Sequence, residues 1–117
     1  MSTNARHYYE TNPAAMRPVR AAAADLLKAF GGLHQAVMKE GALKTLDKEL
    51  IALAIGLAVR CENCVYAHIQ AALKAGASRD QILETAGVAV MMQGGPTYTY
   101  LPRVFEALDA LSAPAAA

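Results

Sequence analysis

The sequence predicts an all-α protein, and three observations support this fold class. Apolar residues recur at steps of three and four, which is the spacing of one helix face. No stretch alternates apolar and polar residues with the period of two that marks a half-buried strand. Glycines and prolines stand where the apolar stripes stop, as helix termini favour. We expect a bundle of about five to six helices in a single domain at 14–112, with an N-terminal arm at 1–13 and a frayed tail at 113–117.

The composition narrows the class of protein further. Of 117 residues, 55% are hydrophobic and 18% are charged, and the net charge is +1. Because neither sign of charge is in excess, nothing favours nucleic acid or an anionic membrane as a partner. The hydrophobic content also excludes a disordered chain. A small domain has little interior, so part of the apolar surplus is expected to face another subunit.

The sequence carries no recognisable targeting or membrane-spanning segment. No apolar run follows the N-terminal charges, as it would in a signal peptide. The longest strongly apolar stretch, residues 50–59, is far shorter than the roughly 20 residues of a membrane helix. We therefore expect a cytoplasmic protein. In that compartment a Cys-x-x-Cys pair indicates redox or metal chemistry rather than a structural disulfide.

The first apolar stripe predicts one bent helix from about residue 19 to Gly41. The stripe keeps its phase across Gly31 and Gly32, which favours a single helix despite the low helix propensity of glycine. His34 lies near the stripe and is expected to be a core histidine. The stripe consists of Val19, Ala22, Leu26, Phe30, Leu33 and Val37.

The second helix is expected to begin with Thr45 as its N-cap. Asp47 and Glu49 would lie in its first turn, where the helix dipole favours carboxylates. Its body at 50–59 is apolar on every side, which predicts a helix buried all round.

Three further helices follow. The third runs from about 61 to 75 and stops at Gly76, and the fourth begins with a capping box at 78–81 and ends near Gln93. The methionines at 91 and 92 are expected to pack inside the protein. Gly94 and Gly95 break the fourth helix. The last helix covers roughly 97–111, although Pro102 fits only a first turn and so favours a start near Thr99.

The most informative residues are Cys61, Cys64 and His68. Their steps of three and four bring all three side chains to one face of a helix. The cysteines lie in the first turn, where unpaired amide N–H groups and the helix dipole stabilise a thiolate. His68 lies one turn below Cys64, where it could exchange a proton with the thiol. The spacing suits an activated thiol with a resolving neighbour.

Glu49 is the best candidate for an additional base, because it opens the most apolar helix and burial disfavours the charged form of a carboxyl group. Its spacing from Cys61 does not place it beside the thiols, and taken alone it would be an ordinary first-turn residue. The cysteines could also be small buried residues, or zinc ligands together with His68, although a closed zinc site needs a fourth ligand. A thioredoxin fold is excluded, because here an apolar helix precedes the Cys-x-x-Cys motif.

The motifs resemble those of the carboxymuconolactone decarboxylase family, within it the alkylhydroperoxidase D-like branch. The resemblance covers roughly 26–111 and rests on a Glu twelve positions before Cys-x-x-Cys, with a His four positions after its second cysteine. It implies an all-helical homo-oligomer, commonly a trimer or hexamer, with thiol–disulfide peroxidase activity. We expect no cofactor and no metal. By this resemblance Glu49 is the proton-relay base, Cys64 the attacking thiol, Cys61 the resolving thiol and His68 the signature histidine.

One position departs from the family pattern. The best-known peroxidase members carry a histidine just before the second cysteine, where this sequence has Asn63. Because asparagine cannot shuttle a proton at neutral pH, Glu49 would act through His68 or water, or the peroxidase rate would be low. We expect an antioxidant enzyme acting on a small hydroperoxide and re-reduced by a dithiol protein. The alternatives are a lactone decarboxylase, whose branch typically lacks the cysteine pair, and a non-catalytic redox-sensing or metal-binding oligomer.

Overall fold

A computed structural model describes residues 3–112 of the chain, and over this range its regular structure is entirely helical, with no strand. The helical segments are α1 (Asn4–Ala15), α2 (Arg17–Ala22), α3 (Ala24–Met38), α4 (Thr45–Ala58), α5 (Glu62–Lys74), α6 (Arg79–Gln93), α7 (Gly95–Tyr98) and α8 (Pro102–Ser112). The all-α prediction is confirmed. The tail predicted at 113–117 lies outside the described residues. No helix among those described is long and apolar enough to cross a membrane.

The core lies around α4 and α5. Helix α4 packs against α5 and α6, and α5 packs in turn against α8. Large apolar side chains from these helices are removed from solvent, and each one buried contributes about 1.5–3 kcal/mol. The fully buried ones are Leu53, Leu57, Val65, Tyr66, Ile69, Ile82 and Val104.

The prediction that α4 is buried all round is wrong. The helix is buried only on the side that faces its neighbours. Ile51, Ile55 and Val59 on its outer side are 48%, 59% and 66% exposed. The reason is tertiary, because an apolar residue is buried only where another element covers it. The expected N-cap is also wrong: Lys44 holds that position without a side-chain bond, and the Thr45 hydroxyl donates to the Met38 carbonyl at 2.7 Å.

The turn from α4 to α5 is tight and fixes the start of α5. Arg60 takes the left-handed conformation, with φ of 55°. Its N–H donates to the Leu57 carbonyl at 3.1 Å, and the Cys61 N–H donates to the Gly56 carbonyl at 2.9 Å, a pair of bonds that closes a helix C-terminus. Cys61 thereby becomes the N-cap of α5. The helix begins at Glu62, one residue later than predicted.

The N-terminal arm expected at 1–13 is wrong as an irregular segment, because the chain is helical from Asn4 onwards. Aromatic side chains rather than an apolar stripe hold α1 against the bundle. The Tyr9 hydroxyl donates to the Tyr66 carbonyl at 2.5 Å, and the rings of Tyr8 and Tyr9 lie 5.6 and 6.0 Å from that of Tyr66. The Thr3 hydroxyl caps the first turn of the helix.

The single bent helix expected from residue 19 is also wrong in detail. The chain breaks at Ala23, whose φ of −135° and ψ of 46° are not helical, while α3 continues through both glycines. The apolar stripe of α3 is exposed, and Leu26 and Phe30 are 66% and 67% accessible to solvent. His34 on α3 is exposed as well, so the prediction that it is a core histidine is wrong.

The C-terminal half follows the prediction more closely. Ser78 and Gln81 form the predicted capping box, with bonds of 3.1 and 2.8 Å, and α6 ends at Gln93. The last predicted helix is divided into α7 and α8, and Pro102 occupies the first position of α8 where its missing N–H costs nothing. Met91 and Met92 are exposed rather than packed inside.

Candidate active site

Glu49 and His68 form the centre of the site. Glu49 lies in the first turns of α4 and is 4% exposed, while His68 lies in the middle of α5. The imidazole Nδ1 is 2.7 Å from the Glu49 Oε1. With Glu49 ionised, its oxygens only accept, so Nδ1 is the donor and Nε2 is left as the basic nitrogen. This arrangement can take up a proton from a nearby thiol and stabilise the imidazolium that results.

Cys61 and Cys64 form a disulfide at the N-terminus of α5, with their Cα atoms 5.2 Å apart. The Cys64 N–H also points to the Cys61 sulfur, at 3.3 Å. Both side chains are partly exposed, so a partner thiol has access to them. Unpaired N–H groups of this first turn favour a thiolate once the disulfide is reduced.

Small residues lie next to Cys64 and His68. Cys64 and His68 share their face of α5 with Ala67 and Ala71, since the four are separated by steps of three and four. On the neighbouring helix, a Cβ added to Gly56 would lie 3.3 Å from the Cβ of Cys64. Glycine is therefore what allows α4 to approach the cysteine closely. The packing of α4 on α5 brings Glu49, Cys61, Cys64 and His68 to the interface of the same two helices.

Asn63 lies on a different side of α5 from the Glu49–His68 pair. Together with Glu62 it lines a polar cavity of about 350 Å³, whose other wall is α1 with His7, Tyr8 and Asn12. Asn63, the residue that departs from the family pattern, is therefore placed away from the Glu49–His68 contact. Glu49 contacts His68 directly and does not need a side chain at position 63 to reach it.

Sequence reasoning missed Gly56, Glu62 and Arg103. Gly56 interrupts the apolar run of α4, and a glycine within a helix body is a local sign of close packing that could have indicated its role. Arg103 donates through Nε to the Glu62 Oε2 at 2.9 Å. These two residues are 41 positions apart, and no local pattern connects them. Across residues 3–112, no three or more His, Cys, Asp or Glu side chains are grouped to hold a metal ion.

Known proteins are similar to this chain in sequence and in fold. An uncharacterised protein from Cupriavidus necator is 36% identical over 87 residues, covering 74% of this chain and 77% of that protein. An alkyl hydroperoxide reductase AhpD from Corynebacterium kroppenstedtii is 29% identical over 63 residues, covering 54% of this chain and 36% of the relative. A crystal structure of a carboxymuconolactone decarboxylase family protein from Legionella pneumophila matches with a TM-score of 0.87 and 36% identity, covering 95% of this chain and 99% of that one.

The sequence pattern of the carboxymuconolactone decarboxylase family matches residues 24–110. The matched range begins with α3 and includes both cysteines, Glu49 and His68, whereas α1 and α2 precede it. The chain therefore belongs to the carboxymuconolactone decarboxylase family, in which it resembles the alkylhydroperoxidase D-like branch.

Proposed function

We propose that the protein is a thiol–disulfide peroxidase that reduces hydroperoxides through Cys64 and Cys61, with Glu49 and His68 as its proton relay. The observation that carries the proposal is the 2.7 Å bond between a buried carboxylate and a histidine one turn from a redox cysteine. A nucleophile, a base and a group that orients the base are the parts that an activated thiol requires. The relative named alkyl hydroperoxide reductase supports the choice of substrate.

In the first step the Cys64 thiol gives its proton to Nε2 of His68, and Glu49 stabilises the imidazolium. The thiolate sulfur then attacks the terminal oxygen of the hydroperoxide ROOH. An S–O bond forms, the O–O bond breaks, and the alkoxide leaves with the proton returned by His68. The products are the Cys64 sulfenic acid and the alcohol ROH.

In the second step the Cys61 sulfur attacks the sulfenic sulfur of Cys64. The disulfide forms, and hydroxide leaves with a proton as water. A protein dithiol then reduces the disulfide by thiol exchange and becomes oxidised itself. The sum is one hydroperoxide and one dithiol converted to one alcohol, one water and one disulfide. This chemistry suits the cytoplasm, where dithiol reductants are maintained.

The test measures the consumption of an organic hydroperoxide with a protein dithiol as donor, for the wild type, Cys64→Ser and Cys61→Ser. We expect Cys64→Ser to abolish consumption. Cys61→Ser should consume one equivalent of peroxide and then stop, leaving a sulfenic acid that dimedone traps. Turnover at the wild-type rate in both variants would contradict the proposal.

Two other functions are the alternatives to a peroxidase. A lactone decarboxylase, favoured by the family match, would retain its activity after loss of both cysteines. A redox sensor or metal-binding oligomer would form a reversible Cys61–Cys64 disulfide, or hold a metal, without turnover. Thiol counting and elemental analysis of the purified protein separate these alternatives from the peroxidase.

We further propose that the chain forms a homo-oligomer through the outer faces of α3 and α4. An apolar groove of about 370 Å³ joins these faces, with Val37 of α3 on one side and Ile51 and Ile55 of α4 on the other. A second copy of the chain would cover this surface, since large exposed apolar patches mark interaction sites. Light scattering should give a mass of a trimer or hexamer, and Phe30→Glu should lower it. A stable wild-type monomer would contradict this assembly.

A further inference from the structure

Arg103 lies in the first turn of α8 and connects this helix to the end of the bundle where the cysteines lie. Its Nε donates to Glu62 at 2.9 Å, and its Nη1 lies 3.8 Å from a Glu106 carboxylate oxygen. The guanidinium also lies over the ring of Tyr100, 5.5 Å from its centroid. The Tyr100 hydroxyl in turn donates to the Arg60 carbonyl at 3.5 Å, in the turn that precedes Cys61. Two contacts therefore connect this segment to the cysteine motif: one to Arg60, just before Cys61, and one to Glu62, between the two cysteines.

Glu62 needs a partner because of where it stands. It follows Cys61 directly and precedes Cys64 by two residues, in the first turn of α5. A carboxylate near a thiol disfavours the thiolate through charge repulsion. The Arg103 and Glu62 side chains are 34% and 36% exposed, so their ion pair contributes little to folding. The ion pair does place a positive charge against the carboxylate that is nearest in sequence to the two sulfurs.

Neither Tyr66, His7 nor the Glu49–His68 pair supplies a positive charge paired with Glu62. The Tyr66 hydroxyl is buried, and burial together with the Glu62 and Glu106 carboxylates raises the pKa of Tyr66. It is therefore neutral at physiological pH. His7 of α1 lines the cavity beside Glu62 but forms no ion pair with it. Glu49 and His68 lie on the face of α5 turned towards α4 and are bonded to each other.

We propose that Arg103 is a positioning residue of the redox site, which holds the Glu62 carboxylate against α8 and pairs its charge, so that the cysteine thiolate forms without an unpaired negative charge in the same helical turn. The inference rests on the proposed function in taking Cys64 as the reacting thiol. It adds a residue from α8 to a site otherwise built from α4 and α5.

The test measures the pKa of the reactive thiol from the pH dependence of iodoacetamide alkylation of the reduced protein, together with the disulfide reduction potential. Neither readout needs peroxide turnover. The variants are Arg103→Gln, Arg103→Lys, Glu62→Gln and the double variant Arg103→Gln/Glu62→Gln. The control is Arg79→Gln, since the Arg79 guanidinium also lies over a ring, that of Phe105 at 5.8 Å, but makes no ion pair within residues 3–112.

We expect Arg103→Gln to raise the thiol pKa by about half to one unit, to slow alkylation at pH 7 roughly threefold to tenfold, and to make the potential more negative. Arg103→Lys should retain most of the wild-type rate, and Arg79→Gln all of it. Glu62→Gln should alkylate faster than the wild type. The double variant should return to within about twofold of the wild type, because the charge that Arg103 neutralises is gone.

A double variant as slow as Arg103→Gln would overturn the inference, because it would mean that Arg103 acts through packing. An unchanged thiol pKa in Arg103→Gln would overturn it as well. Should that variant fail to fold, Glu62→Gln decides alone, and an alkylation rate equal to that of the wild type rejects the inference. A protein without peroxidase turnover but with this pattern of alkylation rates would refute the proposed function and leave the role of Arg103 standing.

Discussion

Helices α3 and α4 have the same kind of sequence and very different surroundings. Both place apolar residues at steps of three and four. In α4, Leu53 and Leu57 are fully buried against α5 and α6, whereas in α3, Leu26 and Phe30 are two-thirds exposed. The difference teaches that periodicity determines which face of a helix is apolar, and that only a packed neighbour determines whether the face is buried.

The two helices are also fastened differently. Helix α3 is tied at its C-terminus by polar bonds: Lys48 Nζ donates to the Val37 and Lys39 carbonyls, each at 2.7 Å. Helix α4 meets α5 along its length, and Gly56 permits the close approach at Cys64. Catalytic groups need fixed distances, which a packed pair of helices supplies and a helix tied at one end does not. The proposed proton relay, Glu49 and His68, lies between α4 and α5.

The largest expected effect is on chemistry at this packed pair. Glu49→Gln keeps the size of the side chain but removes the negative charge that stabilises the His68 imidazolium. We expect kcat/KM with an organic hydroperoxide to fall by about 10²–10⁴-fold, the usual contribution of general acid–base catalysis. The matched control is Asp47→Asn, which changes an exposed carboxylate in the first turn of the same helix. Equal losses in both variants would show that the helix dipole, not the contact with His68, is responsible.

The next effect contrasts burial in the two helices directly. Leu53→Ala leaves a cavity in the core, and should cost about 2–5 kcal/mol of unfolding free energy. Leu33→Ala, on the exposed stripe of α3, should cost less than about 0.5 kcal/mol at concentrations where the protein is monomeric. Its cost should grow with protein concentration if a second copy covers α3, because assembly stabilises the folded state. Denaturant unfolding over a range of concentrations measures both.

Local patterns were sufficient for much of this architecture. The spacing of Cys61, Cys64 and His68 predicted one helix face, and the capping box at Ser78 predicted the start of α6, since both are set by bonds within one or two turns. Whether Glu49 would meet His68 could not be predicted, because it depends on how α4 packs on α5. The contact between Arg103 and Glu62 could not be predicted for the same reason, since 41 positions separate the two residues. Helix α1 was missed because tyrosine rings, not an apolar stripe, anchor it.

A smaller effect, opposite in sign in the two helices, is expected at their glycines. Gly56→Ala would place a Cβ 3.3 Å from the Cβ of Cys64, an atom fixed close to the backbone, and should destabilise the fold by about 1 kcal/mol net. Gly32→Ala in α3 meets no atom within 4 Å and should stabilise the protein by about 0.5–1 kcal/mol through helix propensity. Thermal or denaturant unfolding measures both changes in the free energy of unfolding. A stabilising Gly56→Ala would mean that α4 and α5 can separate freely.

The smallest effect compares residues in the turns that follow α4 and α3. Arg60 has a left-handed backbone, with φ of 55°, which strains any residue with a Cβ. Arg60→Gly relieves that strain but adds entropy to the unfolded chain, so the net gain should be about 0.5–1 kcal/mol. Lys39 closes α3 with an ordinary φ of −67°, so Lys39→Gly relieves nothing and should be neutral or destabilising. Unfolding in oxidised and reduced protein should give the gain for Arg60→Gly in both states, because the turn is closed by the Gly56 and Leu57 carbonyls and not by the disulfide. A gain confined to the oxidised protein would mean instead that the disulfide imposes the left-handed turn.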